Sequence, residues 1–273
     1  MKTADLGMQA SAGRGNGQAT RAPAQKTASV ADRYLPAVIP VPLSLTTAFI
    51  VRDRGVLLID TGNPRDGATI LAAMRKAGIR PDDLSLILVT HGHPGHYGSA
   101  DMLRELTDAP IAVHSADADV MRLKAVGGVA MSPDVMRLGL TGLLFPGGII
   151  PRLIGFATGR ASAPGSGGVE PDIIVEGNAD LAPFGVRGRV IPTPGHTPGS
   201  VSILIAGGTA IIGDLLSALL PGGRPRLPFR TGDPAAARKS LRALLAFGPE
   251  RVYAAHGGPW SGAEIRRRFG YGW

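Results

Sequence analysis

The stretch THGHPGH, residues 90–96, is the most informative part of the sequence, because it holds three of the six histidines in 273 residues. It follows a largely apolar run, residues 84–89, as expected of a strand buried on both faces. The chain contains no cysteine, so any metal site must use imidazole and carboxylate groups. Histidines crowded into a loop behind a buried strand therefore predict a metal site.

Two further histidines and an aspartate have a similar placement. His196 lies in the turn TPGHTPGS, Asp214 follows the apolar run AIIG, and His256 lies in AAHGGP. Each comes just after a predicted strand or in the loop beyond it, and sites in α/β proteins assemble at that edge. His114 also ends a predicted strand but lacks a glycine-rich turn, so we expect it to be structural.

The spacing inside the first loop allows its histidines to converge. His91 and His93 are two residues apart and would point the same way from an extended loop, while a turn at Gly95 would bring His96 back towards them. Neutral imidazoles with one carboxylate, that of Asp214, suit a borderline ion such as Zn²⁺. Asp60 has no histidine near it in sequence, and we expect it to orient a ligand from behind the site. The predicted ligands are His91, His93, His96, His196, Asp214 and His256.

Strand and helix patterns alternate along the chain, which predicts a layered α/β fold. Strands are predicted at residues 45–51, 55–60, 84–89, 111–114, 173–175, 188–191, 201–205, 210–212 and 251–254. Helices are predicted at residues 65–77, 99–106, from 116 onwards, 234–247 and 263–268. Two similar halves facing each other would place the polar loops at one edge of a sandwich.

Two segments depart from this pattern. Residues 1–33 lack periodicity and a signal-peptide core, so we expect a disordered tail, a domain over 34–273 and a cytoplasmic protein. Residues 125–170 form an apolar insert, interpreted as a possible lid. Its part at 138–158 is long enough to span a membrane, but prolines and glycines interrupt it, which makes membrane contact the lesser alternative.

The formal net charge of +8 raises the question of nucleic-acid binding. Basic residues meet aromatic ones only in RRRFGYGW near the C-terminus, and aromatic residues make up 5% of the chain. We therefore expect scattered surface arginines, a small-molecule substrate and no nucleic-acid partner.

Taken together, the motifs resemble those of the metallo-β-lactamase superfamily. The resemblance rests on VLLIDTG (56–62), THGHPGHYG (90–98), TPGHTPGS (193–200), IIGD (211–214) and AAHGG (254–258). It covers about residues 36–260 and implies an α/β fold, the four-layer αββα sandwich of that superfamily. It also implies a first metal site at His91, His93 and His196, and a second at His96 and His256, with Asp214 bridging both. Attack by a metal-bound hydroxide on a carbonyl or similar electrophile would follow.

Gly95 departs from the family pattern His-x-His-x-Asp-His. The resemblance implies that an aspartate at this position would ligate the second metal and orient the attacking water. Glycine does neither, so we expect one or two zinc ions with a weakened second site. A single-metal enzyme, a two-metal enzyme with water in the gap, and altered or lost hydrolysis all remain open.

The substrate is less determined than the site. The resemblance implies a hydrolase of glyoxalase II-like or lactonase-like type, and the apolar insert favours a small ester, thioester or lactone with an apolar or acyl part. One alternative is a mononuclear-iron sulfur dioxygenase acting on persulfides. Another is a catalytically impaired protein that uses the same fold to bind a ligand.

Overall fold

The computed structural model describes residues 34–123, 168–220 and 222–271, and the features below lie in the compact unit that begins at Leu35. The expected tail at 1–33 and almost the whole insert at 125–170, including 138–158, lie outside the described residues. The tail, the lid and the membrane contact therefore stay predictions. Within the described ranges, no helix is both long and apolar enough to cross a membrane.

The first half of the chain forms a six-stranded sheet in which the strands lie side by side in chain order. The strands are β1 Ala37–Pro42, β2 Thr47–Arg52, β3 Val56–Ile59, β4 Leu84–Leu88, β5 Ile111–His114 and β6 Ile173–Val175. Pairing is antiparallel from β1 to β3 and parallel from β3 to β6. The parallel strands direct the loops that follow them to one edge of the sheet.

The second half forms another six-stranded sheet, with spatial order β12-β11-β10-β9-β8-β7. Its strands are β7 Ala179–Asp180, β8 Gly188–Pro192, β9 Val201–Ile205, β10 Thr209–Ile211, β11 Arg251–Tyr253 and β12 Trp260–Ser261. Only β10 and β11 pair in parallel among these strands. Asp214 and His256 follow this parallel pair, so their loops leave the sheet in the same direction.

Helices cover the outer faces of the two sheets. They are α1 Gly67–Lys76, α2 Pro94–Tyr97, α3 Ala100–Thr107, α4 Ser115–Arg122, α5 Pro234–Ala246 and α6 Gly262–Phe269, with 3₁₀ turns at Pro81–Asp83 and Ala182–Phe184. One apolar cluster joins the first sheet to α1, α3 and α4, a second lies between the sheets, and a third joins the second sheet to α5 and α6. The implied αββα order of layers is confirmed.

The buried strand β4 shows why the layers form. Leu84 and Ile87 contribute to the helix-side cluster, whereas Leu86 and Leu88 contribute to the cluster between the sheets. Burial of apolar surface stabilises the fold by about 25 cal/mol per Å². A strand that is buried on both faces therefore consists largely of consecutive apolar residues. This strand ends directly before the histidine loop, which is thus anchored to a strand buried on both faces.

Candidate metal centre

The histidine loop leaves β4 and turns through a single helical turn, α2. Pro94 occupies the first turn of that helix, where its fixed φ suits helical geometry. The expected turn at Gly95 is present, but it does not depend on glycine, because Gly95 lies in the helical turn and is not among the glycines with positive φ. A Cβ atom built there would meet only Asn63 Oδ1, at 3.9 Å. Any residue can adopt this backbone, so glycine matters here by the side chain it lacks.

His91, His93 and His196 bring one nitrogen each to a common point. His93 Nδ1 lies 3.0 Å from His91 Nε2 and 3.0 Å from His196 Nε2. Tetrahedral zinc with nitrogen ligands at about 2.0–2.1 Å places neighbouring ligand atoms roughly 3.4 Å apart. The spacing of these nitrogens is close to that of a zinc site, and a modest widening would fit the ion.

Asp214 lies at the centre of the wider group. Its Oδ2 atom is 3.5 Å from Nε2 of His196 and 3.5 Å from Nε2 of His256. The same oxygen is 3.7 Å from His96 Nε2 and 4.0 Å from His91 Nε2. In the described part of the chain, the Asp214 Oδ1 atom is buried and has no hydrogen-bond partner. A buried carboxylate oxygen without a partner is costly unless a cation or water satisfies it, so this donor set fits a metal.

Close packing brings Asp214 to the histidine loop. Gly213, which precedes it, has φ +49°, and a Cβ atom there would lie 2.7 Å from Thr90 Oγ1. Glycine is therefore required at 213 both by its backbone angle and by the contact. The loop after β10 can then approach the loop after β4, and the two sheets contribute ligands to one site.

The electrostatics favour neutral imidazoles around an ionised carboxylate. Burial lowers the pKa of His91 well below its usual value, lowers that of His93 to about 4, and lowers that of His196. Burial acts to raise the pKa of Asp214, but the imidazoles, His96 first, outweigh it and hold that pKa far below its usual range. At neutral pH these three imidazoles offer a lone pair, which metal binding requires.

Asp60 lies behind His96, where it can orient that ring. Its Oδ2 atom is 2.8 Å from His96 Nδ1, and its two oxygens accept hydrogen bonds from Thr90 N and Thr90 Oγ1. Burial acts to lower the pKa of His96, but the carboxylates of Asp60 and Asp214 outweigh it and raise that pKa. Asp60 itself is 1% exposed and holds a left-handed backbone angle, φ +59°. The expected position behind the ligands matches these contacts.

The structure brings all six predicted ligands together and leaves His114 apart. His114 precedes α4, and its Nδ1 atom accepts a hydrogen bond from Ala116 N, so it caps a helix. Sequence reasoning missed Asp117, whose buried carboxylate reaches the loops of both His91 and His196. Its signal in the sequence is indirect: Gly92 and Gly199 lie beside the ligands at points that the aspartate contacts.

Known proteins are similar to this chain in sequence and in fold. A probable metallo-hydrolase of Bacillus subtilis, YflN, is 29% identical over 224 residues, which is 77% of this chain and 78% of the relative. A hydroxyacylglutathione hydrolase of Acidiphilium cryptum is 31% identical over 190 residues, 70% of this chain and 56% of the relative.

A solved metallo-β-lactamase family protein from Thermus thermophilus superposes with a TM-score of 0.59 at 22% identity, covering 86% of this chain and 78% of that one. At that identity the likeness shows the fold. The sequence model of the metallo-β-lactamase superfamily matches residues 41–256. The chain belongs to the metallo-β-lactamase superfamily.

Proposed function

We propose that this protein is a zinc-dependent hydrolase of a small ester, thioester or lactone. The observation that carries the proposal is the ring of four imidazole Nε2 atoms within 4.0 Å of Asp214 Oδ2, joined to the close trio of His91, His93 and His196. When bound, zinc lowers the pKa of a coordinated water towards neutrality and polarises a carbonyl oxygen.

The chain supplies the geometry for that chemistry. His91, His93 and His196 would hold the first ion, and His96 and His256 would hold a second, with Asp214 between the two. Asp60 would fix the orientation of the His96 ring through the hydrogen bond between Asp60 Oδ2 and His96 Nδ1. Without a carboxylate at position 95, we infer one tightly held ion and a weaker second one.

The substrate class is supported by the 215–232 loop, of which the structure describes residues 215–220 and 222–232 and which leads from Asp214 towards α5. The backbone of Ser217 pairs with His256, and Gly232 N donates to the His196 carbonyl, so the loop borders the metal centre at both ends. Leu219, Leu220 and Phe229 are 69%, 71% and 81% exposed along it. An apolar border next to a carbonyl-activating centre suits an acyl group or an alkyl lactone.

A relative's name adds support for a thioester. The Acidiphilium cryptum protein is named hydroxyacylglutathione hydrolase, and the bond in such a substrate is a thioester. This chain covers 56% of that protein, so the activity is a proposal here.

Elemental analysis of the purified protein, with an ester, thioester and lactone panel on the same sample, tests the proposal. We expect zinc and turnover of at least one substrate class, both lost in His91→Ala and His196→Ala. Iron with oxygen uptake on a persulfide would instead identify a sulfur dioxygenase. A metal-loaded protein that turns over none of these substrates would indicate a binding protein.

A further inference from the structure

Asp117 is not one of the six predicted metal ligands, but it forms buried hydrogen bonds with the loops that carry three of them. It lies in the first turn of α4 and is 2% exposed. Its Oδ2 atom accepts hydrogen bonds from Gly92 N at 2.8 Å and from Thr197 Oγ1 at 2.6 Å, and its Oδ1 atom accepts one from Gly199 N at 2.9 Å. A carboxylate that accepts three bonds in the interior is strongly held in place.

The donors of these bonds belong to two different ligand loops. Gly92 lies between His91 and His93, and Thr197 directly follows His196. One carboxylate therefore joins the loop after β4 in the first sheet to the loop between β8 and β9 in the second. The three residues next to its partners are the trio whose nitrogens lie closest together.

The two glycines in this contact are explained by Asp117. A Cβ atom at Gly199 would lie 2.5 Å from Asp117 Cγ, and one at Gly92 would lie 3.1 Å from Asp117 Cβ. Neither glycine has a positive φ, so their backbones do not require glycine. Close approach of the aspartate excludes a Cβ atom at 199 and crowds one at 92, so the small size of both residues lets the two loops reach the same carboxylate.

We propose that Asp117 is a positioning residue that sets the spacing of the first metal site. It clamps the His91–His93 loop against the His196 loop, while Asp60 orients His96 on the opposite side. The two aspartates hold the histidine loop at different points: Asp60 bonds to Thr90 and His96, whereas Asp117 bonds to Gly92 and to the loop of His196. This proposal rests on the metal site of the proposed function and does not depend on the identity of the substrate.

Asp117→Asn tests the clamp, with Asp119→Asn as a matched control. Asp119 is on the same helix, but its side chain is 89% exposed and pairs with Arg122. Asparagine at 117 keeps the shape but turns an NH₂ group towards a backbone N–H donor, whichever way the amide is placed. We expect zinc affinity, measured by competition with a chelator, to fall roughly ten- to hundredfold, and the absorption bands of the cobalt-substituted site to change. Asp119→Asn should match the wild type in both measurements.

The melting temperature of the metal-free protein separates positioning from general stability. An Asp117→Asn protein that melts earlier but binds zinc as tightly as the wild type overturns the proposal. If Asp117→Asn fails to fold, Thr197→Val removes one donor to the same carboxylate, and Thr197→Ser should restore affinity. A Thr197→Val protein with unchanged affinity and cobalt spectrum would also overturn it. A wild type that binds zinc but hydrolyses nothing contradicts the proposed function, and the zinc affinities of the variants then still decide for or against the clamp.

Discussion

Gly95 leaves position 95 without a carboxylate, and the predicted weak second metal site rests on that missing side chain. Its backbone belongs to an ordinary helical turn, and the space beside it is open except for Asn63 Oδ1 at 3.9 Å. A Cβ atom at position 95 therefore meets ordinary van der Waals contact and no backbone strain. The predicted weakening of the second site therefore rests on ligand chemistry and not on backbone strain.

Gly95→Asp should raise the amount of tightly bound zinc per chain, because it adds an anionic oxygen to a site with few of them. Elemental analysis after dialysis against a weak chelator measures this, together with turnover on the substrate panel. Gly95→Asn is the matched control, since it adds the same bulk without charge. Two tightly held ions in the wild type would contradict the prediction of a weakened second site.

Asp60→Asn should lower metal affinity at the His96 side roughly ten- to hundredfold, because the ring loses the carboxylate that fixes it. Asparagine tolerates the left-handed backbone angle at this position, so the main effect should be electrostatic. Metal titration of the folded variant measures it. Asp108→Asn is the control: Asp108 has φ +56° but is exposed and outside the centre. Equal losses in both variants would assign the effect to backbone strain.

At the scale of elements, the loop at residues 215–232 combines apolar exposure with firm anchoring. The guanidinium carbon of Arg226 lies 3.4 Å from the centre of the Phe229 ring, which orders that ring by a cation–π contact. The loop ends at Asp233, whose side chain caps α5 by accepting from Ala235 N and Ala236 N. An exposed aromatic ring, on a loop whose two ends contact the loops of His196 and His256, suits substrate contact.

Phe229→Ala should raise KM for esters or thioesters with longer acyl chains and leave short-chain turnover nearly unchanged. The ring is 81% exposed, so its removal should change the free energy of unfolding by no more than about 0.5 kcal/mol. Kinetics over a series of chain lengths measure the effect. Phe247→Ala is the control, because Phe247 is 53% exposed at the end of α5. An equal change of KM at every chain length would argue against an acyl-binding role.

The sequence predicted most elements because their apolar patterns are strong, and it missed those without such patterns. Residues 84–89 and 201–205 were recognisable as buried strands, and β9 Val201–Ile205 has the predicted bounds. β1 was missed because Pro40 and Pro42 lower the strand signal, and its position at the sheet edge is what tolerates them. Two-residue strands such as β12 depend on their partners and carry almost no local pattern.

The convergence of the six ligands was predicted from strand-end loops, whereas Asp117 was not. Its partners are 25 and 82 residues away along the chain, and an acidic residue in a first helical turn is common for reasons unrelated to a site. Only the folded arrangement of the two sheets brings it between the ligand loops.

On the scale of the whole molecule, an ion pair ties the two sheets together far from the metal centre. Asp53, in the turn between β2 and β3, accepts hydrogen bonds from Arg187 N, Nε and a terminal guanidinium nitrogen at 2.9–3.0 Å. The Asp53 side chain is 5% exposed. The hydrogen bonds from the Arg187 side chain lower the pKa of Asp53, against a smaller opposing effect of burial.

This lowered pKa fixes the sign of a pH effect. Since the folded pKa lies below the unfolded value of about 3.9, the stabilisation is complete above that value and is lost as the pH falls through the folded pKa. At pH 7, Asp53→Asn should reduce the free energy of unfolding by about 1–3 kcal/mol, and the difference should shrink in acid. Urea unfolding from neutral pH down to acid measures it. Asp82→Asn, at an exposed pair with Arg80, should have little effect.

The position of the metal centre between the sheets has a mechanical consequence. His91, His93 and His96 come from the first sheet, whereas His196, Asp214 and His256 come from the second. An ion shared by these residues would act as a reversible cross-link between the two halves of the chain. At free zinc near one hundred times Kd, the folded state should gain roughly 2.7 kcal/mol, and a chelator should speed unfolding. The stability of the folded protein would then depend on the concentration of free metal, so that a shortage of zinc would favour unfolding as well as loss of activity.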